Sequence, residues 1–232
     1  MAKRPDGGSG PLFSVVIPTY RRPEPLASCL RALASLEFSP EDFEVIVVDD
    51  GSSTSLEPVL VPFGTQLNLT LLKQAHAGPS AARNAGARVA GGRLLCFTDD
   101  DCLPAHDWLL NLQARFERQP RAAVGGSTLN ALPGNIYSKT SQTIRDAVYA
   151  YYNLAQGRRP FFASNNLAVP AEQFQEVGGF HTEFASAEDR EFCDRWLQSG
   201  YDLVYAPEAV VHHAHELTFR SFWRQHYGYG RG

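Results

Sequence analysis

Short apolar runs punctuate the first half of the chain. Residues 13–17, Phe13-Ser14-Val15-Val16-Ile17, form a β-branched run that stops at Pro18, the pattern of a buried strand. Residues 44–48, 67–72 and 94–97 repeat it, the second run ending in Asp49-Asp50-Gly51 and the fourth in three aspartates. Between the runs the period changes from 2 toward 3.6. Leu26, Leu30, Leu33 and Leu36 share one helical face, residues 81–90 read as another helix, and residues 107–118 as a third with Trp108, Leu109, Leu112 and Phe116 inward. Strands that are nearly continuous in apolar character and alternate with helices predict an α/β protein with a mostly parallel sheet flanked by helices. Beyond about Asn130 the alternation lapses into an irregular half. Here residues 140–155 and 188–199 read as helices, and residues 164–169 and 209–211 as strands.

Composition narrows the class further. The 232 residues are 44% hydrophobic and 20% charged, ordinary globular usage that excludes disorder and collagen-like repeats. A net charge of −4 argues against a nucleic-acid partner. Cys29, Cys96, Cys102 and Cys193 have neither CxxC spacing nor a framework pattern, which suits a reducing compartment. Residues 1–12 are polar and Gly/Pro-rich, read as a flexible segment without a signal peptide. No apolar run reaches the ~20 residues of a membrane span. A cytoplasmic location is expected from these features, and the ending at Tyr229-Gly230-Arg231-Gly232 leaves a C-terminal continuation open.

The placement of the acids is more informative than their total. In open α/β sheets ligands bind beyond the carboxyl ends of the strands. Those ends carry Thr19-Tyr20-Arg21, Asp49-Asp50 and Asp99-Asp100-Asp101. Three successive carboxylates after a buried strand repel one another unless a cation neutralises them. Hard ions such as Mg²⁺ and Mn²⁺ take carboxylate oxygens and leave positions for phosphate. Asp99 and Asp101 point to one side of an extended chain, so both can serve one cation. Read in isolation, the same residues make a solvated turn, or Asp101 caps a helix. Asp49-Asp50-Gly51-Ser52 likewise reads as a strand-exit turn, or as a carboxylate placed to accept from a nucleobase or ribose. Neither G-x-G-x-x-G nor a P-loop is present, which leaves a diphosphate to a metal. His212, His213 and His215 follow the strand at residues 209–211, and alternation puts His213 and His215 on one face as candidate ligands.

These segments together resemble the family 2 glycosyltransferases of the GT-A fold. The resemblance rests on the runs around Pro18-Thr19-Tyr20, Asp49-Asp50-Gly51 and Ala82-Arg83-Asn84-Ala85-Gly86, and on Asp99-Asp100-Asp101. It continues through Ser164-Asn165-Asn166, Gly178-Gly179-Phe180, Glu188-Asp189 and the histidine cluster, in order across nearly the whole chain. It implies an inverting, metal-dependent transferase that moves a sugar from a UDP-, GDP- or dTDP-sugar to an acceptor hydroxyl, in glycan, glycolipid or cell-surface polysaccharide synthesis. Pro18, Thr19 and Tyr20 would line the nucleoside pocket, with Asp50 at the base and Arg83, Asp99 and Asp100 near the nucleotide-sugar. Asp101, with Asp99, His213 and His215 as further candidates, would hold Mn²⁺ or Mg²⁺. Asp189 would be the general base beside Glu188, although Ser186 and Asp189 also fit a helix-opening capping box. Residues 13–232 would form one GT-A domain, 13–129 binding the nucleotide-sugar and 130–232 supplying the acceptor side and the base.

Two stretches are less family-like. Residues 130–162 hold Tyr137, Tyr149, Tyr151, Tyr152, Arg158, Arg159, Phe161 and Phe162, either a sugar and phosphate platform or ordinary packing. Asn165 and Asn166 either bind hydroxyls or close a turn. Within residues 217–231, Phe219, Phe222, Trp223, His226 and Tyr227 recur at helical spacing beside Arg220, Arg224 and Arg231, so this helix either closes over the core or lies on anionic lipid at the inner membrane face. Two other classes compete. A nucleotidyltransferase needs a Gly-rich basic loop after the first strand, where Pro18-Thr19-Tyr20 stands; a non-catalytic sugar- or partner-binding protein has no use for the acidic and histidine clusters.

Overall fold

The computed structural model describes residues 10–153, 160–184 and 187–229. Most of the segment 1–12, together with Arg158, Arg159, Ser186 and Arg231, lies outside the described residues. Strands β1 (Phe13–Thr19), β2 (Phe43–Asp49), β3 (Leu69–Lys73) and β4 (Leu94–Thr98) pair in parallel in the order β3-β2-β1-β4. Helix α1 (Pro23–Ala34) follows β1, the short α2 (Glu57–Leu60) follows β2, and α3 (Pro79–Val89) follows β3. Proline occupies the first turn of α1 and α3, where its missing N–H costs nothing. Leu26, Cys29, Leu30 and Leu33 of α1 are buried on one face of the sheet. On the other, α3 presses against β1 at Gly86, where a Cβ would lie 2.4 Å from Val16 Cγ1, so only glycine permits this approach.

The second half is more regular than its sequence pattern predicts. It adds β5 (Cys102–Pro104), α4 (Trp108–Phe116), β6 (Ala123–Asn130), α5 (Ile136–Asn153), β7 (Asn166–Pro170), α6 (Ala171–Val177), α7 (Glu188–Gln198), β8 (Leu203–His213) and α8 (Phe219–Tyr229). Its strands extend the same sheet in the order β4-β7-β6-β8-β5. The sheet is therefore mixed, parallel across β3-β2-β1-β4 and at β6·β8, and antiparallel at β4·β7, β7·β6 and β8·β5. β6 escapes the apolar-run test because it reads Ala-Val-Gly-Gly-Ser-Thr-Leu-Asn, with a register shift at Gly126/Ser127. Asn166 joins the halves. Its side chain donates to the Ser127 and Ala209 carbonyls (2.9 Å each) and accepts from Trp108 Nε1 (2.9 Å), which settles it as a buried structural clamp.

Strand direction now places the chemistry. β7 runs opposite to both β4 and β6, and β8 is parallel to β6, so β6 and β8 end at the same sheet edge as β1, β2 and β4. His213, the last residue of β8, thus arrives beside Asp101, since β5 pairs Cys102 with His213. Asp101 precedes a strand, so the helix-cap alternative for it is excluded.

Candidate active site

Two acidic groups far apart in sequence meet through one buried arginine. Arg83, on the first turns of α3, is 4% exposed and donates to Asp99 Oδ1 (2.7 Å) at the end of β4 and to Glu188 Oε1 (3.2 Å) at the start of α7. Burial works against its charge, but Asp99 and Glu188 prevail and hold its pKa above the ordinary value. Its guanidinium lies over Phe180, 5.9 Å from the ring centroid. Phe180 is fixed in turn by Asn84, which accepts from the Phe180 N–H (2.9 Å) and donates to its carbonyl (2.7 Å). Gly179 adopts φ +67, and a Cβ there would meet Asn84 Oδ1 at 2.7 Å. The Arg-Asn pair of α3 and the Gly-Gly-Phe turn are thus two halves of one fitting.

Asp189 follows Glu188 directly. Burial, then the neighbouring Glu188 charge, raises its carboxyl to about 6, against backbone N–H donors from Arg190 and Ser164 and the Arg83 charge. Ala187, which opens α7, has φ 66 and makes no side-chain cap. Among the described residues only Arg21 (φ 57) is a second non-glycine at positive φ, and it too borders the site. Backbone in this region persists only where the surroundings enforce it.

The acidic strand end is neutralised largely by the protein itself. Arg22 bridges Asp100 Oδ1 and Asp101 Oδ2, 2.7 Å from each. Thr19 Oγ1 donates to Asp100 Oδ2 (2.8 Å). Burial still pushes Asp100 up to about 7, with Arg22 opposing and Asp101 adding to the rise. Asp101 is equally buried, but His213 and Arg22 overcome that penalty and hold it well below the carboxylate range. The two adjacent carboxyls are therefore driven apart in acidity.

The residues at Asp101 suit a hard divalent ion. Asp101 Oδ1 is buried and makes no hydrogen bond, although His213 Nε2 lies 3.1 Å away. Asp101, Cys102 and His213 each offer a ligand atom within 4.8 Å of the others. Burial holds the Cys102 thiol well above its ordinary pKa, so a carboxylate oxygen and an imidazole are the available donors; the oxygen suits Mg²⁺ or Mn²⁺, and the imidazole is a ligand shared with other divalent metals. His215 stacks beside His213 (centroids 4.9 Å apart), and burial, with the His213 charge, lowers it to about 4, so its imidazole is neutral. Asp99, expected as a further ligand, is not in this group; its Oδ1 pairs with Arg83.

At the end of β1, Pro18 and Thr19 are buried, and Tyr20 stacks on His76 (4.2 Å, 22°) with Arg21 4.8 Å from its ring. The Asp50 carboxylate accepts from Gln74 Nε2 (2.7 Å) and the Ala77 and Gly78 N–H groups (2.9 Å each), and His76 Nδ1 lies 2.8 Å from it and 3.1 Å from the Asp50 carbonyl oxygen. It thereby organises the loop leading into α3, and a base would reach it only by displacing Gln74 or His76. Asp49 accepts from the Ser52 N–H (2.9 Å), the turn role read from sequence. On the other side, Tyr149, Phe161 and Phe162 pack into the core and Tyr137 packs on Phe222, so ordinary packing accounts for them. Sequence reading missed Arg22 and His76. The dense basic-proline segment Arg21-Arg22-Pro23 after β1 was the available signal for the first; nothing marked the second.

At the carboxyl edge of the α/β sheet a buried Arg83 thus joins Asp99 to Glu188, and one oxygen of the buried Asp101 makes no hydrogen bond. Residues 14–177 match Glycosyl transferase family 2, and the chain belongs to that family. It is 26% identical over 230 residues to the glycosyltransferase AglE of Haloferax volcanii, covering 96% of this chain and 73% of that one. It is 30% identical to validoxylamine A glucosyltransferase of Streptomyces hygroscopicus, covering 90% of this chain and 53% of that protein. The fold is that of GT-A glycosyltransferases. The mannosyltransferase PcManGT of Pyrobaculum calidifontis, solved with GDP-Man and Mn²⁺, superposes with a TM-score of 0.75 at 22% identity, over 95% of this chain and 61% of that one. Residues 1–349 of S. aureus TarS, solved with UDP-GlcNAc, give 0.67 at 19%, over 91% and 60%. The chain thus spans about half to three quarters of the length of these relatives.

Proposed function

We infer that this chain is an inverting, metal-dependent glycosyltransferase acting on a nucleotide-diphosphate sugar, with Asp189 as general base. The observation that carries this is the Asp99–Arg83–Glu188 bridge, which holds the base-bearing turn of α7 against the acidic strand end. The acceptor hydroxyl gives its proton to Asp189 while its oxygen bonds to the anomeric carbon, and the bond from that carbon to the diphosphate oxygen breaks on the opposite face. The transition state is oxocarbenium-like, as in glycoside hydrolysis. Asp101 and His213, with His215 nearby, would hold Mn²⁺ or Mg²⁺; bound there, the ion supplies positive charge for the departing diphosphate. Tyr20 and His76 offer an aromatic stack for the base, and Arg83 a fixed positive charge near the diphosphate. Incubation with UDP-, GDP- and dTDP-sugars and Mn²⁺ tests this reading. Release of the nucleoside diphosphate from one donor is expected; no release from any, with or without a polyol acceptor, would remove it.

We further infer that α8 lies on an anionic lipid surface at the inner membrane face. Phe219, Trp223 and Tyr227, spaced at i, i+4 and i+8, are 62%, 66% and 62% exposed, with Arg220 and Arg224 beside them. Phe222 and His226 turn the other way, onto Tyr137 and Ser141 of α5. The cationic flank suits phosphatidylserine or phosphatidylglycerol better than a neutral protein partner. Among the described residues no helix is long and apolar enough to cross a membrane. Cosedimentation with phosphatidylglycerol vesicles is expected at low salt and lost in a Trp223→Ser, Arg224→Gln variant; equal binding by that variant would refute the assignment.

A further inference from the structure

We propose that Arg22 is an exchangeable counter-ion, which occupies the Asp100–Asp101 carboxylates until a divalent cation displaces it and then turns to the diphosphate. This rests on the reading of Asp101 as a cation ligand. Three observations support the exchange. Arg22 makes a two-pronged contact, 2.7 Å to each of two buried carboxylates, so the acidic edge already holds a full positive charge without metal. A divalent ion at Asp101 would bring like charges within a few ångströms and weaken that contact. Arg22 is also built to move, its side chain being 42% exposed against 5% for Arg83. It stands outside the regular helix, at the N-cap of α1 with φ −131 and ψ 63, and contributes no capping bond from its side chain.

The acceptor of the displaced guanidinium follows from charge. Asp100 and Asp101 take the two prongs of the Arg22 guanidinium, and a diphosphate likewise offers paired anionic oxygens to such a fork. A cation arriving alone strips Arg22 of its partners and offers nothing in return. A cation arriving with a nucleoside diphosphate replaces them. Arg22 therefore opposes binding of the ion alone and favours binding of the pair, a positioning residue that couples metal to donor.

Titration calorimetry with Mn²⁺ alone, and with GDP and UDP in saturating Mn²⁺, separates the possibilities in the wild-type chain and in Arg22→Ala, Arg22→Lys and Asp101→Asn. Arg22→Ala is expected to bind Mn²⁺ alone roughly fivefold more tightly and the nucleotide roughly tenfold more weakly, modest factors because the arginine is half exposed. Arg22→Lys, which keeps the charge without the fork, should fall between on both axes. Unchanged or weaker Mn²⁺ binding in Arg22→Ala, with Asp101→Asn abolishing it, would overturn the exchange while leaving the cation site standing. Full Mn²⁺ binding by Asp101→Asn, or none by the wild type, would overturn the cation site and the exchange with it.

Discussion

Asp189→Asn lowers sugar transfer about 10³-fold and leaves nucleoside diphosphate binding unchanged. The factor is that of a positioned general base. The amide oxygen can still accept the Arg190 N–H that Asp189 Oδ1 accepts at 2.8 Å, so α7 keeps its first turn. The pH profile supplies an independent check. A base must be unprotonated to act, and burial beside Glu188 raises Asp189 to about 6. Wild-type turnover should therefore fall as pH drops through about 6, and the residual turnover of the asparagine variant should lack that limb. A variant that retains wild-type turnover would remove Asp189 from the mechanism.

Arg83→Met is the second large effect, and it acts on stability as well as chemistry. Removing one member of a buried ionic network costs about 3 kcal/mol, chiefly because the remaining charges lose their partner. Asp99 and Glu188 retain some water, which limits the loss. For a chain of this length the melting temperature should fall on the order of 10 °C. Arg83→Lys should not rescue it, since one ammonium cannot reach both Asp99 and Glu188 with the guanidinium's geometry. Thermal unfolding and nucleotide binding together decide the matter. Normal stability in Arg83→Met would show that the bridge is dispensable to the fold.

The fold was legible where burial leaves no choice. β1, β2 and β4 are buried along nearly their whole length, so their apolar runs are continuous and unambiguous. α1, α4 and α7 each bury one stripe, and their period shows it. β6 was not legible, because its glycines trade β-propensity for close contact with Phe162 and Asn166. The site divides in the same way. Asp101 and His213 stand out in sequence because strand ends are a general location for ligands, and β5 and β8 make them neighbours. Arg22 was missed because its partners are far away in sequence, Asp101 by 79 residues. Three successive aspartates require cationic partners; Arg22 and Arg83 meet most of that requirement, leaving one buried oxygen of Asp101 without a hydrogen bond.

The central claim is that Asp101, Arg83 and Asp189 form one nucleotide-sugar site. Calorimetric titration of the wild-type chain with GDP and with UDP, each with and without Mn²⁺, tests it most directly. Binding of one nucleotide that strengthens at least tenfold with Mn²⁺, and loses that gain in Asp101→Asn, is the predicted result. Binding of neither nucleotide, or binding indifferent to both Mn²⁺ and Asp101, would contradict it.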